Sequence, residues 1–116
     1  MPLDQITGDL NAVADYISKS PAANGKIAAA GFCWGGGQAF RYATNNSALK
    51  AAFVFYGSPP LPGSHLLCRS TQWRWGKIAP PVYGFYAGND ARINATLPAT
   101  VEAMKDLKKT YRTGNL

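Results

Sequence analysis

Residues 28–37 read Ala28-Ala29-Ala30-Gly31-Phe32-Cys33-Trp34-Gly35-Gly36-Gly37. A run of small apolar residues reaches a cysteine that has glycine two positions before it and two positions after it, and then passes into a helical pattern. This is the composition of a nucleophile elbow. A strand that reverses sharply into a helix leaves little room beside the residue at its tip, which calls for glycine on both sides. The tip residue, Cys33, then stands above the edge of the sheet. It lies at a helix N-terminus, where unpaired backbone N–H groups favour negative charge, and the thiolate is the reactive form of cysteine. The N–H of Trp34, the first of these groups, points to where an oxyanion would form. The same residues also suit a blander reading, an inert buried cysteine in a glycine-rich turn, because free cysteine is among the most buried residue types.

Toward the N-terminus, Leu3, Ile6, Leu10, Val13 and Ile17 recur at alternating spacings of three and four, which lines one face of a helix over 3–19. Pro21 disfavours helical geometry before it and should stop that helix near Ser18-Lys19-Ser20. Asn24-Gly25 turns the chain into a strand from Lys26 to Ala30, whose alanines admit helices on either face. After the elbow, a helix is expected from Gly35 to Thr44, with Phe40 and Ala43 inward, ending at Asn45-Asn46-Ser47. Ala51 to Tyr56 and Pro81 to Ala87 are short apolar runs of the kind found in strands buried on both faces of a parallel sheet. Leu97 to about Lys109 forms the last helix, with Pro98 in its first turn and Leu97, Val101, Met104 and Leu107 as its buried stripe. Gly57 to Ala79 has no sustained period and reads as a long loop. The expected fold is α/β, a three-stranded parallel sheet flanked by helices, as one domain over residues 1–116.

Composition narrows the function classes. A chain of 116 residues with 47% hydrophobic content holds one core and no second domain. No run approaches the roughly 18 apolar residues of a membrane span, and the first residues lack the basic start and apolar stretch of a signal peptide. A soluble, cytoplasmic protein without a membrane partner is expected. Cys33 and Cys68 are too few for a disulfide framework and are read as free thiols. The net charge of +6 raises the question of nucleic acid, but the basic residues are scattered except for Lys105, Lys108, Lys109 and Arg112. Those four lie near a helix end, where cations complement the dipole, and no aromatic and basic pattern is interleaved with them, so nucleic acid is not an expected partner. A basic interaction module that uses Arg69, Arg74 and the C-terminal lysines is kept as a reading of another class. It requires salt-sensitive binding to an anionic polymer.

The second piece of chemistry is Ala87-Gly88-Asn89-Asp90-Ala91-Arg92-Ile93. It places Asp90 just beyond the carboxyl end of a strand, at the edge where open α/β sheets bind ligands. A carboxylate there can orient a histidine that activates Cys33. Gly-Asn-Asp is equally good turn chemistry, in which Asp90 caps the next helix.

With both motifs in view, Gly31-Phe-Cys-Trp-Gly-Gly36 followed by Tyr83-Gly-Phe-Tyr-Ala-Gly-Asn-Asp90-Ala-Arg-Ile-Asn-Ala-Thr-Leu-Pro98 resembles the dienelactone hydrolases, the cysteine-nucleophile branch of the α/β-hydrolases. The resemblance covers roughly residues 3 to 58 and 79 to 110. It implies a partial α/β-hydrolase fold and the opening of small ester or lactone substrates without a metal or organic cofactor. It also implies Cys33 as nucleophile, Asp90 as the acid of the triad and Trp34 N–H as an oxyanion donor. Members of that family are about twice as long, and they place their histidine after a strand that would follow Lys109. The chain therefore reads as a truncated member, with Ser64 to Gly76 and the tail from Tyr111 unlike the family. His65, the only histidine, is the one base the chain itself can offer. A strand left open at the sheet edge implies a homo-oligomer. The alternative function is a catalytically impaired fragment that folds or oligomerises without turnover.

Overall fold

The computed structural model describes residues 2–58 and 78–116. Gly25 takes a left-handed conformation (φ 78°), and the Asn24 side chain accepts the Lys26 N–H at 3.0 Å. This turn delivers the chain into β1 (Ala28–Phe32), two residues later than the sequence suggests. Chain order then runs α2 (Trp34–Asn45), β2 (Ala51–Phe55), β3 (Val82–Tyr86), a short α3 (Ala91–Asn94), α4 (Leu97–Asp106) and β4 (Tyr111–Asn115), with α1 (Leu3–Ser18) preceding β1.

The sheet has four parallel strands in the order β1-β2-β3-β4, not the three expected. The tail Tyr111-Arg-Thr-Gly-Asn115 was missed because it has no apolar run. An edge strand needs little more than backbone pairing on one side, and polar residues protect its open side. Val82 N–H donates to Thr110 at 2.9 Å and Leu116 N–H to Tyr86 at 3.0 Å, which brackets the β3–β4 ladder.

Because the strands succeed one another in a single direction, the right-handed crossovers carried by α2 and by α3–α4 fall on the same face. The core lies there: Phe40 and Ala43 of α2, Ile93 of α3 and Met104 of α4 pack with Ala52, Val54, Ile78, Val82 and Tyr86. The expectation of strands buried on both faces is corrected accordingly. β2 and β3 alternate buried with half-buried residues. The half-buried set stacks on the opposite face, with the exposed Phe32 of β1 extending the row into an aromatic ladder. Phe32, Phe55 and Phe85 follow one another at 4.7 and 4.9 Å, and Phe53 stacks on Tyr83 at 5.3 Å.

Two helical stripes also differ from the periodic reading. On α1 Ile6 is buried and Leu10 half-buried, while Val13 and Ile17 are 54% and 44% exposed. The helix is held to α2 by polar contacts, Arg41 Nη1 donating to Thr7 Oγ1 at 2.7 Å and Tyr42 Oη to Asn11 Oδ1 at 2.8 Å. Between α1 and β1 lies an apolar groove of about 390 Å³. On α4, which ends at Asp106, the buried residues are Thr100 and Met104, whereas Val101 and Leu107 face outward. Among the described residues no helix is long and apolar enough to cross a membrane.

Candidate active site

Cys33 is the residue between β1 and α2, with φ 56° and ψ −124°. A side chain held there costs about 1–3 kcal/mol of backbone strain, which the surrounding structure must overdetermine. It does so from both sides. Cys33 N–H donates to Phe55 O at 3.0 Å, and Cys33 O accepts from Gly36 N–H at 3.0 Å and Gly37 N–H at 3.3 Å. The thiol is free and the residue exposed, which removes the reading of a buried, inert cysteine.

The glycines divide differently from the symmetric expectation. A Cβ on Gly31 would overlap the Gly35 carbonyl and come within 2.8 Å of Gly36 N, so this position requires glycine. A Cβ on Gly35 meets nothing within 4 Å. The second required glycine is Gly36, whose Cβ would press to 3.0 Å on both Gly31 O and Phe55 O. A third is Gly57, where a Cβ would overlap Gly37 N. The close approach is thus between the first turn of α2 and the ends of β1 and β2.

At the start of α2 the N–H groups of Trp34 and Gly35 make no backbone hydrogen bond among the described residues. They are donors at the positive end of a twelve-residue helix, beside the Cys33 side chain. A cleft of about 350 Å³ opens there, lined by Cys33, Trp34, Gly37, Gln38, Tyr56, Ser58 and Arg92. Gln38, Tyr56, Ser58 and Arg92 bring polar side chains to the cleft that sequence reasoning did not assign. Arg92 Nη1 lies 3.4 Å from Ser58 Oγ and gives the cleft its one cation among the described residues. Gln38 Oε1 accepts from Arg41 Nε at 2.8 Å. A guanidinium only donates, so this bond fixes the amide with its oxygen toward Arg41 and leaves its N–H donors for the cleft. Burial lowers the pKa of Arg41, and the charge of Asp4 opposes that shift. The only sequence signal for Arg92 was its place two residues beyond Asp90 in the same turn.

Asp90 lies at the carboxyl edge of the sheet, as expected, but its carboxylate is put to local use. Its N–H donates to Ala87 O at 3.1 Å, and its Oδ1 accepts from Ile93 N–H at 3.1 Å as the cap of α3. Asp90 does not line the cleft; Cys33 and Trp34 do. His65, Cys68, Arg69 and Arg74 fall outside the described residues.

Comparisons with known proteins give the family and the fold. The model of the dienelactone hydrolase family matches residues 2–113. A protein of Saccharolobus solfataricus, provisionally named carboxymethylenebutenolidase, is 36% identical over 106 residues, which cover 91% of this chain and 37% of that one. The crystal structure of a provisionally named dienelactone hydrolase from Klebsiella pneumoniae superposes with a TM-score of 0.82 at 29% identity, over 98% of this chain and 48% of that one. Zea mays acyl-protein thioesterase 2, at 18% identity and a TM-score of 0.56, shares the fold. The chain spans less than half the length of the first two relatives.

Proposed function

The chain belongs to the dienelactone hydrolase family, and we propose that it opens small esters or lactones with Cys33 as the nucleophile. The observation that carries this reading is the strained, exposed cysteine at the strand-to-helix junction, beside a cleft and two N–H groups that make no backbone hydrogen bond among the described residues. Strain of this kind persists where structure holds a side chain in place for use.

The chemistry follows from those groups. Cys33 Sγ attacks the acyl carbon, and the N–H of Trp34 receives the oxyanion, a contact worth about 3 kcal/mol where one such donor is removed. Collapse breaks the bond to the leaving oxygen, which departs with a proton and leaves a thioester on Cys33. Water then hydrolyses the thioester and restores the thiol. Asp90 is proposed as the acid that orients a base, through the Oδ2 that the α3 cap leaves without a hydrogen bond among the described residues. His65 is the base available within the chain. The name of the Saccharolobus solfataricus relative points to a carboxylate-bearing lactone. Arg92, the cleft cation, is the residue that would receive such a carboxylate.

A second reading, an impaired chain that acylates without turning over, is supported by Asp90 serving the α3 cap and standing outside the cleft lining. Incubation with p-nitrophenyl acetate separates the two. Steady release of p-nitrophenol by wild type and none by Cys33→Ala supports the hydrolase. A single stoichiometric burst supports the impaired chain, and equal rates for both proteins remove Cys33 from the chemistry.

A further inference from the structure

We propose that the recess between the end of α4 and the start of β4 binds a small, multiply charged phosphate anion, independently of the Cys33 cleft. The recess holds about 410 Å³ and is lined by Lys105, Lys108, Lys109 and Arg112 over a floor that includes Met104 and Tyr111. It contains four of the chain's twelve lysines and arginines and no acidic residue. None of the four makes a salt bridge among the described residues. Glu102 and Asp106 belong to α4 but do not line the recess.

The backbone supplies an independent observation. Lys109 N–H donates to Met104 O at 2.8 Å and Lys108 N–H to Lys105 O at 2.9 Å, the bond pair of a Schellman motif. The residue after the helix cap in that motif takes a left-handed conformation and is ordinarily glycine. Here it is Lys108, with φ 57°. A long cationic side chain at a position that glycine would occupy without strain is a departure the helix end does not need for its own sake. The macrodipole would be complemented as well by Lys105 alone, which lies within the last turn. What Lys108 adds is a fourth positive charge on a recess that already has three.

Like charges held this close repel, and an anion with several negative oxygens relieves that repulsion while accepting charge-assisted hydrogen bonds. A phosphate-type anion fits better than a polymer, because the four cations line one recess confined to 105–112. The recess lies at the amino ends of the strands and Cys33 at their carboxyl ends, so the two sites are at opposite edges of the sheet.

The test titrates inorganic pyrophosphate into the full chain, followed by calorimetry and by amide NMR shifts. Saturable one-to-one binding is expected, with shifts centred on 105–112 and affinity falling as salt is added. Lys108→Gly should weaken binding by about tenfold, the loss of one charge-assisted contact, and at the same time raise the melting temperature by relieving the left-handed residue. Lys19→Ala should bind as wild type does. The proposal is overturned if Lys108→Gly binds unchanged, if the shifts centre on Arg92, if no saturable binding occurs, or if a single-stranded oligonucleotide binds this face more tightly than pyrophosphate.

Discussion

Gly31 and Gly35 flank Cys33 symmetrically in the sequence, yet only the first is sterically required. Gly31→Ala drives a methyl group into the backbone of α2 and should cost about 1–3 kcal/mol, as other overpacking substitutions do. Gly35→Ala enters open space in the first turn of the helix. It should be neutral or stabilise by up to about 1 kcal/mol, the helix propensity difference. Urea titration of the two variants measures the contrast, and similar losses for both would contradict the close approach seen at Gly31. At the same scale, Arg92→Ala should raise KM for a carboxylate-bearing ester while changing hydrolysis of p-nitrophenyl acetate little, if Arg92 receives the carboxylate. The pattern around Cys33 marked the elbow because its steric demand is local. Arg92 did not stand out, because folding and not spacing in the chain brings it to the cleft, and Gln38, five residues beyond Cys33 in α2, belongs to no recognisable motif of its own.

The strands β3 and β4 are joined by a side-chain bond as well as by their ladder: Tyr86 Oη and Tyr111 Oη are 2.6 Å apart, and Phe40 packs on the Tyr111 ring at 5.5 Å. Burial pushes both phenols above their ordinary value, and for Tyr111 the neighbouring Tyr86 adds to it. The folded state therefore keeps protons that the unfolded state releases. Their contribution to stability is fully present below about pH 10 and is lost as the pH rises beyond it. Urea midpoints should hold steady from neutral pH to that point and then fall, with a shallower fall in Tyr86→Phe. That variant should also be less stable at neutral pH by about 1 kcal/mol, the value of the shared hydrogen bond. A midpoint that does not change with alkaline pH would contradict a buried, neutral pair. Element reading succeeded where a helical period shows, as in α2, and where a short apolar run is closed by turn residues, as in β2 and β3, although those runs are buried on one face only. It failed at β4, where Tyr111 is the one residue packed against the core and no apolar run marks the strand; on α1 the helix forms as expected, but its periodic stripe faces a groove where burial was expected.

Across the whole molecule, the sequential strand order puts the helices on one face and leaves an aromatic ladder on the other. Cys33 N–H reaches Phe55 O, so the alternate residues Ala28, Ala30 and Phe32 turn their N–H and C=O groups away from β2, toward an open edge. Exposed edges and apolar faces invite association. The chain is expected to sediment at twice its mass of 12.4 kDa or more at micromolar concentration. A stable monomer would contradict this. The strained Cys33 between β1 and α2 is proposed to take an acyl group. Intact-mass spectrometry of the chain quenched soon after mixing with p-nitrophenyl acetate tests it most directly. The account predicts one added acetyl group on wild type, removed by hydroxylamine and missing from Cys33→Ala. An acetyl group carried equally by the variant, or by neither protein while p-nitrophenol is released, would contradict it.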